Sequence, residues 1–97
     1  MELREVEKLI NEISEGSKNI PDFLLESYDE LHTILKDTVE AKSYSEHTEK
    51  QLDNALKGTD TESMMYWRKE FQKDKDDYIK LNQKLQKNVK LIEANIY

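Results

Sequence analysis

Asp29 and His32 are the residues whose types and spacing come closest to a metal centre, because side chains three residues apart share one face of a helix. A carboxylate-bridged di-metal bundle needs a Glu-x-x-His pair from each of two helices and two further inward-facing Glu residues. The other histidine, His47, follows Glu46 in a polar stretch and has no second histidine at ligand spacing. We therefore predict no metal site and expect both histidines at the surface.

The motifs of other catalytic centres are also missing from the sequence. It contains no Gly-rich phosphate loop, no His-Glu-x-x-His and no nucleophile in a recognisable turn. The absence of cysteine excludes both a disulfide framework and a thiolate metal site. We expect a protein with no enzymatic activity, no catalytic residues and no cofactor.

The composition favours long solvated helices over a sheet. A chain of 97 residues makes at most one domain, here 1–97, and two Gly with one Pro leave little material for turns. Charged residues make up 37% of the chain and hydrophobic residues 36%. The longest apolar run, Met64 to Trp67, is too short for a membrane span or a signal-peptide core. We predict an all-α cytoplasmic protein, exported only if a route without a signal peptide exists.

The first helix is predicted over 1–16, where apolar residues recur at spacings of three and four and Gly16 supplies the stop. Its apolar residues are Leu3, Val6, Leu9, Ile10 and Ile13. A second helix is predicted over 21–57, because Pro21 suits the first turn, where the missing N–H would be unpaired anyway.

The third helix is predicted over 60–95, after Gly58 closes the second. Thr59 and Glu62 have the spacing of a capping box, in which each side chain satisfies a backbone N–H. Two helices on the order of 50 Å long, joined by so short a loop, must fold back antiparallel. Residues whose numbers add to roughly 118 then lie level with each other.

This geometry predicts a three-helix core at the base of the hairpin and a two-helix arm at the other end. The first helix forms the third wall of the base. The base residues of the two long helices are Phe23, Leu24, Leu31, Ile34, Leu35, Leu81, Leu85, Val89, Ile92 and Ile96. The tip of the arm is held by Leu52, Ala55, Leu56, Met64, Met65, Trp67 and Phe71.

The apolar heptad stripes of both long helices are interrupted by polar residues near their middles. In the second helix the apolar positions Leu24, Tyr28, Leu31, Leu35, Leu52 and Leu56 enclose Thr38, Lys42, Ser45 and Glu49. In the third, Asp74 lies among Trp67, Phe71, Tyr78, Leu81, Leu85 and Ile92. Such a hairpin leaves apolar surface uncovered, so we expect a homodimer or a heteromer with another protein.

The adjacent residues Met64, Met65, Tyr66 and Trp67 are the densest group of adaptable side chains and form one candidate partner-binding site. Met adapts to irregular surfaces and Trp is enriched among binding hot spots. The structural alternative is that Met64 and Trp67 close the tip over Leu52 and Leu56. In either case Tyr66 is expected to face outward.

Charge is unevenly distributed. Residues 1–60 carry seven Lys or Arg against fifteen Asp or Glu, a net charge of −8, while 61–97 carry eight against six, a net charge of +2. The acidic part disfavours direct nucleic-acid binding, which depends on cations that neutralise phosphates. The simplest explanation is that acidic and basic helices face each other and keep the protein soluble.

Two functions stay open. The first is a non-enzymatic interaction module, such as a secretion partner, small chaperone or assembly scaffold, that binds through apolar helix stripes. The second is an acidic inhibitor or immunity protein, such as a phage would encode, that covers a basic active site or a nucleic-acid-binding groove. Its candidate contact residues are Glu26, Asp29, Glu30, Asp37 and Glu40.

A long helix, a loop containing Gly58 and a second long helix ending in 92–97 resemble the small WXG100-type proteins and related helical partners of type VII secretion. The resemblance concerns architecture over about residues 22–97 and implies a secretion partner. Leu56-Lys57-Gly58 occupies the place of the family's Trp-x-Gly turn. Tyr66 to Glu70 matches the letters of its Tyr-x-x-x-Asp/Glu signal, but near the start of a helix instead of after the hairpin.

Overall fold

The computed structural model describes residues 1–97 and consists of helices without strands. The elements in chain order are α1 (Leu3–Ser14), a 3₁₀ turn (Asp22–Leu24), α2 (Leu25–Leu56) and α3 (Thr61–Glu93). They form an elongated particle of 57 × 18 × 16 Å. The predicted all-α hairpin with a short N-terminal helix on its base is confirmed. No helix is long and apolar enough to cross a membrane.

The two long helices run antiparallel at close to the predicted register. The side chain of Asn88 donates to the carbonyl oxygen of Ser27 at 3.0 Å. Asp37 and Leu81, whose numbers add to 118, line the same groove between the helices. At the base, the backbones of Asn19 and Tyr97 exchange two hydrogen bonds of 3.1 and 2.9 Å, which tie the linker after α1 to the C-terminal residue.

Both predicted stops lie where the helices end, but the start of α3 differs from the prediction. Gly16 follows α1 with a φ of +84°, the left-handed conformation that glycine adopts without strain. The cap of α3 is Asp60, whose carboxylate accepts from the backbone N–H groups of Glu62 and Ser63. The capping box assigned to Thr59 is therefore wrong, because an Asp one residue later presents a charged acceptor to the positive helix end.

The core lies at the base, as predicted, and is built from all three helices. Ten buried side chains form it: Val6, Leu9, Ile10, Ile20, Leu24, Leu31, Ile34, Leu85, Val89 and Ile92. Two details differ from the sequence analysis. Ile20 of the linker is buried in this cluster, whereas Phe23 is 73% exposed. The 3₁₀ turn at Asp22–Leu24 explains the second difference, because it turns Leu24 inward in place of its neighbour.

Helix α1 covers one side of the hairpin and only its base half. The hydroxyl of Tyr28 donates to the carbonyl of Ile10 and shares a hydrogen bond with Ser14, while the amino group of Met1 donates to Gln86 Oε1 at 2.7 Å. Helix α1 thus runs parallel to α3 and antiparallel to α2. The other side of the hairpin has no third helix, and we call it the open face. Its residues are Glu30, Thr33, Asp37, Glu40 and Tyr44 of α2 with Asp74, Asp77, Lys80, Leu81 and Lys84 of α3.

The seam of α2, the line of residues that faces α3, departs from the predicted stripe in the arm. Tyr28 and Leu35 of that stripe are half-buried and pack against the core. The buried and half-buried residues that follow a strict three–four repeat along the whole helix are Leu31, Ile34, Thr38, Ala41, Ser45, Thr48, Leu52 and Ala55. Lys42, Glu49 and Leu56, which the prediction placed on the stripe, are exposed. Buried Thr38 and Thr48 donate their hydroxyls to carbonyls one turn earlier, so neither leaves an unpaired polar group.

The seam of α3 agrees with the prediction and carries the larger side chains. Trp67, Phe71, Asp74, Tyr78 and Leu81 are half-buried, and Leu85 and Ile92 are fully buried. At the observed register Ala41 lies level with Tyr78, and Thr48 lies level with Phe71. Small residues of α2 therefore accommodate aromatic residues of α3, which lets the arm pack tightly without a third helix.

Candidate protein-binding surfaces

The tip of the arm divides the four predicted contact residues into two pairs. Met64 and Trp67 lie on the α3 seam and are half-buried, whereas Met65 is 68% exposed and Tyr66 is 57% exposed. The Tyr66 ring rests edge-on against Trp67, with the ring centroids 4.9 Å apart. A seam residue thus positions an exposed one, and the outward position expected for Tyr66 is observed.

Leu56 adds a third exposed apolar side chain at this end of the molecule. The prediction placed it inside the tip, but Ala55 occupies the seam at that level and Leu56 follows one residue later. Successive residues on a helix are about 100° apart, so a shift of one position turns the side chain to solvent. The sequence signal that could have found it is the three–four repeat continued from Ile34 through Thr48.

The predicted acidic residues of α2 lie on one side of the helix. Glu30, Asp37 and Glu40 line the open face, and Glu26 lies one turn before Glu30 on the same side. Asp29 lines neither groove but lies one turn before Thr33, which does. All five carboxylates are exposed. The structure therefore brings the five carboxylates to one side of α2, and three of them line its grooves.

Helix α3 contributes further charge to the open face. A groove of about 450 Å³ lies halfway along it, with the methyl group of Ala41 and the side chain of Leu81 among its apolar lining residues. Its charged lining residues are Asp37, Glu40, Asp74, Asp77 and Lys80. The two α3 aspartates were not among the predicted site residues. Folding places them next to the acidic edge of α2, a proximity that depends on the register of the hairpin.

The charges of the open face form no ion pairs. The one ion pair of the structure joins Lys18 Nζ to Glu12 Oε2 at 2.8 Å, in the segment at the end of α1. The hydrogen bond from Lys18, followed by its positive charge, holds the pKa of the Glu12 carboxyl below its usual value. The acidic residues of α2 and the lysines of α3 thus face each other without direct contact.

Apolar side chains are exposed at the base end of the hairpin. Leu91, 46% exposed, lies two turns after Lys84 on the same side of α3, and Phe23, 73% exposed, lies close to the same level in the 3₁₀ turn before α2. Each is followed by a buried residue of the core, Ile92 and Leu24 respectively. The open face is therefore acidic around the middle groove and has apolar side chains beside its base end.

The two histidines occupy separate surface positions. His32 lies edge-on to the ring of Tyr28, with centroids 4.8 Å apart, and His47 is exposed in the second half of α2. No three His, Asp or Glu side chains come together in an arrangement that could hold a metal ion. Asp29 and His32 therefore stand without the further ligands that a di-metal bundle needs.

The fold and these surfaces define an all-α helical hairpin with a three-helix base and a two-helix arm. Comparisons of the chain with protein-family models, with curated proteins and with solved structures each find no match.

Proposed function

We propose that this protein is a non-enzymatic protein-binding module whose base holds an arm that contacts another protein at the tip. The observation that carries the proposal is the exposure of Met65, Tyr66 and Leu56 at the end of an arm that α1 does not reach. A secretion partner, a small chaperone and an assembly scaffold all use such an arm. The architectural resemblance to WXG100-type proteins supports the first of these roles.

The chemistry of the tip supports this role. Tyr66 combines a broad apolar ring with a hydroxyl, and Met65 adapts to irregular surfaces, so both suit the centre of a protein interface. Trp67 packs against the Tyr66 ring and limits its motion, which lowers the entropy lost when a partner binds. The partner contact therefore depends on two exposed side chains and on one half-buried residue that positions them.

Site-specific photo-crosslinking in the protein's own cells tests the proposal. A benzophenone side chain replaces Tyr66 in one variant and, in the control, Glu7, which is exposed on α1 and away from both the tip and the open face. We expect one protein to crosslink from the tip and not from the control position. The same protein, purified, should bind the Tyr66→Ala variant about 30-fold more weakly, the effect of a hot spot of about 2 kcal/mol. Unchanged affinity would remove the tip as the contact site.

An acidic inhibitor is the second candidate, favoured by the row of Glu30, Asp37 and Glu40 without an ion-pair partner. Such a row complements a basic active site and steers association through the charge of the whole face. Salt separates the two functions. Binding through this row should weaken steeply between low and high ionic strength, whereas binding through the tip should change little.

A further inference from the structure

We infer that the open face binds a basic amphipathic helix of a protein partner, on the side of the hairpin opposite α1. This inference rests on the proposed function, since it assumes that the protein binds another protein. It adds a second contact surface, distinct from the tip, and specifies the chemistry of what binds there.

The shape of the open face suits a helix. Helices α2 and α3 run side by side along its length, and packed helices present a groove that accepts the side-chain ridge of a third. Ala41 has a short side chain at this level, and the groove of about 450 Å³ beside it exposes part of Leu81. Helix α1 already packs in the corresponding position on the other side, so the hairpin has one such site filled and one open.

Charge specifies the partner at the middle of the face. Asp37, Glu40, Asp74 and Asp77 surround the groove against the single cation Lys80, and none of them forms an ion pair. A helix lying in this groove would bring its flanking side chains beside these carboxylates. Lys or Arg on those flanks gains attraction, whereas Asp or Glu meets like charge.

Apolar surface specifies the partner at the base end. Phe23 is 14 positions before Asp37, and Leu91 is 14 positions after Asp77, which corresponds to about 21 Å along a helix. The exposed Phe23 ring and the partly exposed Leu91 side chain are apolar groups at this level. The partner helix therefore carries Lys or Arg at one level and apolar side chains about four turns away.

A second copy of this chain fits the open face poorly. Two copies related by a twofold axis along the hairpin would set α2 of one against α3 of the other at the same level. Glu30 would meet Lys84, but Asp37 would meet Asp77 near the axis, with Glu40 and Asp74 close by. Like charges brought together at the centre of an interface oppose association, so the face favours a basic partner over itself.

A designed peptide tests this inference with the complete chain. The probe is a helical peptide of about 24 residues with leucine along one stripe and lysine on both flanks, and its twin carries glutamate in place of lysine. We expect calorimetry at low salt to show micromolar binding of the lysine peptide and none of the glutamate twin. A dissociation constant weaker than about 1 mM for the lysine peptide would overturn the inference.

Matched charge variants locate the binding. Replacing Asp37 and Asp77 with Asn removes two charges from the open face, whereas replacing Glu46 with Gln and Asp53 with Asn removes two exposed charges from the other side of α2. We expect about tenfold weaker peptide binding from the first pair and less than a twofold change from the second. Equal weakening by both pairs would mean attraction to overall negative charge and would overturn the inference.

Matched apolar variants test the base end of the hairpin and the alternative that a second copy of this chain occupies the open face. Leu91→Ser should weaken peptide binding several-fold, whereas Val39→Ser, at 48% exposure on another side, should leave it unchanged. Sedimentation that shows a dimer dissociated by Leu91→Ser would assign the face to a second copy instead. Tyr66→Ala should leave peptide binding intact. Failure of the tip to crosslink a partner and failure of the open face to bind the peptide are therefore independent results.

Discussion

The side chain of Asn88 on α3 donates a 3.0 Å hydrogen bond to the carbonyl oxygen of Ser27, 61 residues earlier in the chain. It is the one side-chain hydrogen bond between the two long helices. It lies among the fully buried residues Leu31, Leu85 and Ile92, where most helix contacts are apolar and tolerate sliding. A directional bond at this place fixes which turn of α3 meets the start of α2, in the way that a single buried polar residue sets the register of a coiled coil.

Asn88→Ala should therefore lower the free energy of unfolding by about 1 kcal/mol, the usual net worth of such a bond. Asn54→Ala is the control, because Asn54 is exposed near the other end of the hairpin and the two substitutions change helix propensity equally. Urea denaturation of both variants measures the difference. If the two variants have the same stability, the bond to Ser27 does not contribute to the hairpin.

The base of this fold follows from the sequence because its signals are local and agree with one another. Apolar residues at spacings of three and four, Gly16 and Gly58 together predict three helices, and a short loop permits only an antiparallel return. The register then follows from counting. Phe23 is the exception, because a 3₁₀ turn changes the residue spacing just before α2 begins.

The middle of α2 could not be predicted as well, for a physical reason. The large apolar residues between Leu35 and Leu52 are Val39 and Tyr44, and they belong to neither of two possible stripes. A stripe continued from Leu35 reaches Lys42 and Glu49, while one continued from Ile34 reaches Ala41 and Thr48. The second is realised because small residues can lie against aromatic rings and charged ones resist burial. The acidic groove between the helices forms only with this phase of the α2 seam. Asp74 and Asp77, which line the groove from α3, were therefore not predicted as site residues.

Substitution by alanine is expected to have opposite effects on stability at the two glycines. Gly16 has a φ of +84°, where a side chain adds strain, so Gly16→Ala should destabilise the protein by about 1 kcal/mol. Gly58 does not have positive φ, and an added Cβ would lie 3.5 Å from the carbonyl oxygen of Ala55, an ordinary contact. Gly58→Ala should therefore be neutral or stabilising by up to about 1 kcal/mol. Thermal denaturation checks both, and equal losses would show that φ is not what distinguishes them.

Alanine substitutions of the adjacent tip residues Tyr66 and Trp67 are expected to change stability by different amounts. Trp67 lies on the seam, so Trp67→Ala should destabilise by about 2 kcal/mol, less than for a fully buried tryptophan because the side chain is only partly buried. Tyr66→Ala should stay within about 0.5 kcal/mol of the unmodified protein. Chemical denaturation compares them. A large loss from Tyr66→Ala would mean that this side chain belongs to the fold and is not free for a partner.

The contact between Glu12 and Lys18 gives stability a defined dependence on pH. The pKa of Glu12 is lower in the folded protein than its usual 4.5, so the unfolded chain binds more protons between those two values. The contribution is present above about pH 4.5 and is lost as pH falls through the lowered pKa. Glu12→Gln should therefore be less stable than the unmodified protein at pH 7, and the difference should shrink as pH falls below 4.5. Glu7→Gln, exposed and without an ion-pair partner, is the matched control for the loss of one carboxylate.

The phase of the α2 seam is tested by placing leucine at two adjacent positions. Thr48 is 5% exposed and lies level with Phe71, where a larger side chain has no room, so Thr48→Leu should destabilise the hairpin by about 1–3 kcal/mol. Glu49 is exposed, so Glu49→Leu should change stability by less than about 0.5 kcal/mol. Urea denaturation with circular dichroism measures both. If Glu49 were on the seam, the order would reverse, because leucine would then replace a poorly placed charge in the helix interface and raise stability.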